Sequence, residues 1–372
     1  MLGKPEIIGV DIGQYSIKVA QIKQSGKAFT ANHLAYEVIP PEVRLQRDRV
    51  TLSKIVAATL KKQKVNKGQV VLHVNTGDVI MREVNVDASL RGNELEGAIE
   101  LELNDAIPFG MDQVYFDFDE VPSKKGTRLA VVVRRDVADE KTALLNNLPK
   151  TFSKPQVDVD AFAFTRVLKY VSKSDVGKND RIMLIDIGFS RSRFYVCKGS
   201  ELLFSREQQI GGNTVNEIIM DVFDIDAESA ENRKIGHSFG DEYKDLVLTP
   251  YVQTFTEQLH LALDFYEANN VTENPEPIKV IYLTGGGARL SGFVDALGAA
   301  NVSHNIRLLN LAPYIKLSGS QRSDDALQSG INHALAIGLA MEGTNSWLEN
   351  LTYNRGANNA AKNRKKVLLT QQ

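Results

Sequence analysis

Two stretches of this 372-residue chain are versions of one another. Ile8-Gly9-Val10-Asp11-Ile12-Gly13 and Leu184-Ile185-Asp186-Ile187-Gly188 each place an Asp-x-Gly at the end of an apolar run. Each is followed by a second strand-like run, residues 17–22 and 193–197. A later cluster, Gly285-Gly286-Gly287-Ala288, follows the apolar run 280–282. Strand, tight acidic turn and returning strand, met twice and joined by a third glycine turn, predict two related lobes closing on one phosphate-bearing ligand.

The residue types suit that chemistry. Gly13 and Gly188 carry no Cβ, so backbone N–H groups can approach an anion closely. Asp11 and Asp186 are expected to face each other across a cleft. Two carboxylates beside a polyphosphate call for a divalent cation between them, and Mg²⁺ keeps waters that such carboxylates hold. Lys18 adds a positive charge near the phosphates. One Asp-x-Gly hairpin alone would be an ordinary turn. The second copy and the glycine cluster give it weight.

Composition narrows the class. The length favours two domains with substantial cores. A net charge of -2 argues against a general nucleic-acid binder. The single cysteine, Cys197, excludes an internal disulfide and reads as a small buried hydrophobe. The opening residues 1–6 enter a strand without a secretory apolar region, and no apolar run nears the roughly 20 residues of a membrane span. The expectation is a cytoplasmic protein that meets the membrane only through a partner.

Along the chain, Ala28–Val38 reads as a third strand, 42–48 as a charged loop and 52–64 as a helix. Strands are expected at 70–74 and 79–86, with His73 as a core or edge histidine. A helix over 89–105 places Glu94, Glu96, Glu100 and Glu102 on a solvated face. Strands at 114–121 and 128–134, a helix at 136–147, a strand at 156–158 and a helix at Asp160–Val171 follow. Residues 172–180 read as the connection between lobes. The second half adds a strand at 202–209, a turn at Gly211-Gly212, and helices at 214–223, Ala227–Ile235 and Thr249–Asn269. A helix at 291–299, a strand at 306–309 and a last apolar helix at 325–341 precede a basic tail without periodicity.

The paired hairpins, Gly211-Gly212, the segment Ala230-Glu231-Asn232-Arg233-Lys234 and the Gly-Gly-Gly turn together resemble the actin, Hsp70 and sugar-kinase superfamily. More specifically, Ala98-Ile99-Glu100-Leu101-Glu102 leading to Ile107-Pro108-Phe109, the segment 157–163, Phe204-Ser205-Arg206-Glu207 and Ala336-Ile337-Gly338-Leu339-Ala340 are similar to the PilM family of type IV pilus assembly. The resemblance covers roughly residues 5–343. It implies an α/β, two-lobed, actin-like (ribonuclease H-like) fold with an extra α/β subdomain inserted in the first lobe. The expected division is a first lobe over 1–178 with the insertion at about 86–154, a second lobe over 179–343, and a flexible tail over 344–372.

The resemblance also implies ATP with Mg²⁺ as ligands. By position, the nucleotide would meet Asp11, Gly13, Gln14, Tyr15, Ser16 and Lys18 on the first loop and Asp186, Gly188, Phe189 and Ser190 on the second. Gly211, Gly212, Glu231, Lys234, Gly285, Gly286, Gly287 and Ala288 complete that set, with the Mg²⁺ held through water by Asp11 and Asp186. Without the resemblance, Glu231 and Lys234 are a routine helical ion pair. The implied role is a cytoplasmic scaffold that grips the cytosolic N-terminal peptide of a PilN-like inner-membrane protein and links it to the motor side, where a motor ATPase is a further candidate partner.

The chain departs from the superfamily at Gln14, Tyr15 and Phe189, where small residues are usual, so binding is expected to outweigh turnover. Arg191 is a candidate phosphate contact. Two other functions remain open: an FtsA-like filament protein, and a small-molecule kinase using Asp160 or Asp186 as base.

Overall fold

A computed structural model describes residues 6–25, 28–46, 48–121, 124–153, 155–171, 176–177, 180–199, 201–269, 276–301, 304–311, 313–317 and 331–341. The first half opens with β1 (Ile7–Ile12), β2 (Ser16–Ser25) and β3 (Ala28–Val38), an antiparallel meander of β-branched and apolar residues. The stretch expected as a charged loop instead holds a short helix, α1 (Pro41–Gln46). Proline suits the first helical position, where no N–H is needed. Asp48 then caps α2 (Arg49–Lys62), accepting from the Thr51 N–H at 3.0 Å. β4 (Gln69–Val74) returns parallel to β1.

An excursion follows: β5 (Val79–Asn85), α3 (Gly92–Ala106), β6 (Val114–Glu120) and β7 (Thr127–Arg134). These strands form their own antiparallel sheet in the order β5-β7-β6. Leu95, Ile99 and Leu103 of α3 lie at helical spacing and pack with Val84, Ala130 and Val132 into a separate small core. After α4 (Arg135–Ala143), β8 (Gln156–Val159) adds to β4 in parallel, and α5 (Asp160–Val171) closes the half. The inserted α/β subdomain of the expected fold class is therefore present.

The second half repeats the plan. β9 (Arg181–Ile187), β10 (Ser192–Lys198) and β11 (Glu201–Gln208) form the meander. Helices α6 (Gly212–Phe223), α7 (Ala227–Ile235) and α8 (Thr249–Asn269) follow. β12 (Ile278–Thr284) then runs parallel to β9, α9 (Phe293–Ala300) crosses over, and β13 (Ile306–Leu308) pairs with β12. The second sheet is ordered β11-β10-β9-β12-β13, the same sequence of roles as β3-β2-β1-β4-β8 in the first.

Past Leu309 the chain goes back. β14 (Ile315–Leu317) pairs with β3, and α10 (Ala334–Ala340) lies on the first sheet. A second lobe drawn over 179–343 does not foresee this return. Residues 318–330 of the last stretch, the tail 344–372 and most of the 172–180 connection lie outside the described residues.

Helices α5 and α10 sit in the layer between the sheets. One core joins Ala20, Val71 and Phe164 with Leu184, Tyr195 and Tyr282 of the opposite sheet. Contact here is backbone to backbone. A Cβ at Gly9 of β1 would lie 1.9 Å from the Ala336 carbonyl of α10, and one at Gly338 would lie 2.2 Å from the Ala163 carbonyl of α5. Arg166 of α5, fully buried, donates from Nε to the Gly338 carbonyl at 2.9 Å and from Nη2 to Asp158.

Gly9→Ala and Gly338→Ala are therefore expected to destabilise by about 2–3 kcal/mol each through overpacking. Gly97→Ala, on an exposed face of α3 with nothing near its missing Cβ, should stabilise by roughly 0.5–1 kcal/mol. Thermal melts of the three variants would refute the packing account if all shifted alike.

Candidate functional site

The duplicated hairpins set the site. In the first, the Gly13 N–H donates to the Ser16 carbonyl at 3.0 Å; in the second, the Gly188 N–H donates to the Arg191 carbonyl at 2.9 Å. The turns are the same, so the strands emerging from them share a register. Asp11 stands opposite Lys18, and Asp186 stands opposite Arg193.

The two acid–base pairs differ in their settings. Lys18 Nζ lies 3.1 Å from Asp11 Oδ2, and His73 Nε2 lies 3.4 Å from Asp11 Oδ1. Burial opposes ionisation of Asp11, yet Lys18, with His73 beside it, outweighs it and holds the carboxyl well below the usual range. Burial likewise opposes the charge on Lys18, but Asp11, with help from Asp186, pushes it up. Asp186 behaves oppositely. Burial raises its carboxyl, Arg193 and Lys18 draw it down, and the neighbouring Asp11 and Asp160 leave it raised.

Arg193 is a hub between the halves. It lies 3.5 Å from Asp186 and 3.1 Å from Glu207 in the second sheet. From the first half, Asp160 approaches it at 3.6 Å and the Asn75 amide oxygen accepts from it at 3.1 Å. Asp160, the first residue of α5, accepts from the N–H groups of Thr76 and Ala161 at 2.8 and 2.7 Å and is fully buried. This takes Asp160 out of the candidates for a base that meets a substrate. Arg191, the candidate phosphate contact, is paired with Glu207 at 2.7 Å.

At the tips the hairpins touch. Ser190 Oγ donates to Gln14 Oε1. The Tyr15 and Phe189 rings stack with centroids 5.4 Å apart. Arg44 of α1 lies over both, 4.7 Å from the Tyr15 centroid and 5.5 Å from that of Phe189. Such a ring pair is worth about 0.5–1.5 kcal/mol, and a partly desolvated cation on it about 0.5–2 kcal/mol. Burial, with Glu231 nearby, pushes the Tyr15 phenol up to about 12, so it stays neutral.

The opposite wall belongs to α7 and the glycine turn. Lys234 Nζ lies 2.7 Å from Glu231 Oε2 and donates to the Gly212 carbonyl at 2.9 Å, while Asn216 donates to Glu231 at 2.5 Å. Burial pushes the Lys234 ammonium down from the ordinary lysine value despite Glu231. Gly285 adopts φ +86, and a Cβ there would meet Asp186 Oδ1 at 2.6 Å. Only glycine lets this turn close against the second hairpin.

Together these walls enclose a cleft of about 1730 Å³, larger than the roughly 300–1,000 Å³ of ordinary small-molecule sites. Asp11, Gly13, Gln14, Tyr15, Ser16, Lys18, Asp186, Gly188, Phe189, Ser190, Gly212, Glu231, Lys234, Gly285, Gly286 and Gly287 all line it. Gly211 and Ala288 do not. Ala288 is buried in the core of the second half, and Gly211 lies behind the second hairpin, where a Cβ would sit 2.6 Å from the Phe189 carbonyl.

Sequence reasoning missed Arg193 and Arg44. The signal for Arg193 was present, since it follows Asp186 by the interval that separates Lys18 from Asp11. Arg44 carried none, because its position depends on α1.

The family described as "Type IV pilus assembly protein PilM" matches residues 9–344. Among solved structures, the chain is similar to a PilM-PilN type IV pilus biogenesis complex, with 22% identity and a TM-score of 0.73 over 92% of this chain and 100% of that one. It is also similar to the ethanolamine utilization protein EutJ from Carboxydothermus hydrogenoformans, with 15% identity and a TM-score of 0.50 over 91% of each chain. The two repeated sheets and these neighbours bear out the actin-like fold class. Among the described residues, no helix is long and apolar enough to cross a membrane.

The Arg193 hub yields a test. A carboxyl whose folded pKa is raised loses stability as pH climbs from its unfolded value, near 4, through the folded one. Arg193→Met removes the cation that restrains Asp186 and should raise that carboxyl further. We expect a loss of about 3 kcal/mol at pH 8, with a markedly smaller loss at pH 5. Melting curves showing an equal loss at both pH values would rule this out.

Proposed function

The chain belongs to the PilM family of type IV pilus assembly proteins, and from that premise we propose that it is a nucleotide-binding scaffold for a PilN-like inner-membrane protein. The observation that carries the nucleotide half is the convergence of both hairpins and the Gly285 turn on one cleft. Lys18 and Arg193 would meet phosphates, while Glu231, Lys234 and the glycine turn would meet the nucleoside of ATP.

For Mg²⁺, the donor set is two carboxylates that each already face a cation, and no group of three or more metal-ligating side chains occurs among the described residues. That suits an ion arriving with the nucleotide and keeping its waters, not a resident metal. Asp11 and Asp186 would hold those waters, and the ion would neutralise phosphate charge. The ring stack at the tips and the absence of small hydroxyl residues at Gln14, Tyr15 and Phe189 favour retention over turnover.

The partner half rests on the family and on the inserted sheet. One of its two outer strands, β6, offers backbone groups to an extended peptide, the mode in which added strands gain affinity from main-chain hydrogen bonds. The scaffold thus reads as cytoplasmic and drawn to the inner membrane by its partner, with a connection to the motor side. Burial of Asp160 removes one of the two bases of the kinase alternative and leaves Asp186, which lines the cleft.

Mg-ATP should raise the melting temperature, by about 2.7 kcal/mol of stability at a hundredfold excess over Kd, and Asp11→Ala or Asp186→Ala should shrink that gain. No binding by calorimetry at millimolar ATP would defeat the nucleotide reading. Phosphate release should stay below roughly 1 s⁻¹, the low end of enzyme turnover. Hydrogen exchange with the N-terminal peptide of the PilN-like partner should protect residues 79–134; protection confined to the second half would place the groove elsewhere.

A further inference from the structure

Three contacts at the hairpin tips run from one half of the molecule to the other, Tyr15 to Phe189, Gln14 to Ser190 and Arg44 to Phe189, and Arg44 also lies on Tyr15 within its own half. Tyr15 and Gln14 follow β1, Phe189 and Ser190 follow β9, and Arg44 stands on α1. The two rings are half-buried and line the cleft, so they are not part of either core. Arg44 is held in an unusual way. Its Nε is buried without a hydrogen-bond partner, and the guanidinium lies on the rings. Its mount is light as well, since α1 spans six residues and buries only Val43. Elements with few buried contacts open at low cost.

We propose that Tyr15, Phe189 and Arg44 form an aromatic–cation latch across the cleft between the hairpins, which must part for a nucleotide to enter or leave. The latch sets the rate of exchange more than the affinity, because the same contacts are broken on entry and on exit. This rests on the reading of the cleft as a nucleotide site. It adds a role for three residues that do not themselves need to touch the ligand. Because the rings sit on opposite hairpins, losing either one should have the same effect as losing the other.

The test uses the full chain and Mg²⁺ with a fluorescent N-methylanthraniloyl ATP, chased by unlabelled ATP in a stopped-flow instrument. Tyr15→Ser and Phe189→Ser should each speed release at least tenfold and speed association in the same direction, leaving Kd within about threefold; a tenfold change corresponds to about 1.4 kcal/mol on the barrier. Arg44→Gln, on the surface helix, should act likewise but less strongly. Release rates within twofold of the parent would overturn the latch. So would a weakened Kd with unchanged association, which would make the rings direct ligand contacts.

A second measurement needs no nucleotide. Spin labels at Lys54→Cys on α2 and Asp221→Cys on α6, both exposed, report the distance between the halves. The native Cys197 is buried, with its thiol pushed up to about 12 by that burial, and does not compete for label. A single narrow distance in the parent and a broader or longer distribution in Tyr15→Ser would support the latch. Identical distributions would overturn it. If no protein binds the labelled ATP, the nucleotide reading falls, and the distance measurement still decides whether the rings hold the halves together.

Discussion

The molecule depends on a contact with no side chain in it. Helix α10 lies directly against β1 at Gly9 and against α5 at Gly338, so close that a methyl group at either position would overlap a carbonyl oxygen. The residues around it, Ala163, Ala336 and Ala340, are small for the same reason. Dense packing of this kind tolerates little change in volume. The one large polar group admitted, Arg166, ties the layer together by donating to the Gly338 carbonyl and to Asp158. Because α5 and α10 lie between the two sheets, this layer fixes how the halves meet and hence how the hairpins face each other.

From that fixed geometry, duplication supplies the chemistry. Two copies of one hairpin bring two carboxylates to the cleft, and the shared register brings each its own cation. The copies have diverged in what surrounds them. Asp11 faces a lysine and a histidine and is held ionised. Asp186 shares an arginine with Glu207 and Asp160 and is left with a raised pKa. Similar backbones thus hold two acids of opposite tendency a short distance apart.

Much of this was legible in the residues because local patterns carried it. Ala28–Val38, Asp160–Val171, Ala227–Ile235 and Thr249–Asn269 have the periodicity and length that decide strand from helix. The Asp-x-Gly repeats marked the cleft because turn chemistry is local. What escaped is non-local. β14 has three residues, and its place beside β3 depends on a partner far away in sequence. α1 is too short for periodicity to show, and Arg44 could be placed only once α1 was. Gly211 and Ala288 sit in the right motifs, yet depth, which no motif records, puts them behind the wall.

The short stretch between β4 and β5 has a mechanical consequence. Asn75 accepts from Arg193, Thr76 donates to Asp160, and the inserted sheet begins at Val79. The floor of the cleft and the first strand of the insertion are therefore joined by a crank of a few residues, pinned at one end by charge. A shift of the guanidinium that draws Asn75 with it is transmitted along covalent bonds to the edge of the sheet. Linkage is reciprocal. Movement at the start of the inserted sheet would bear in the same way on Asn75 and so on Arg193.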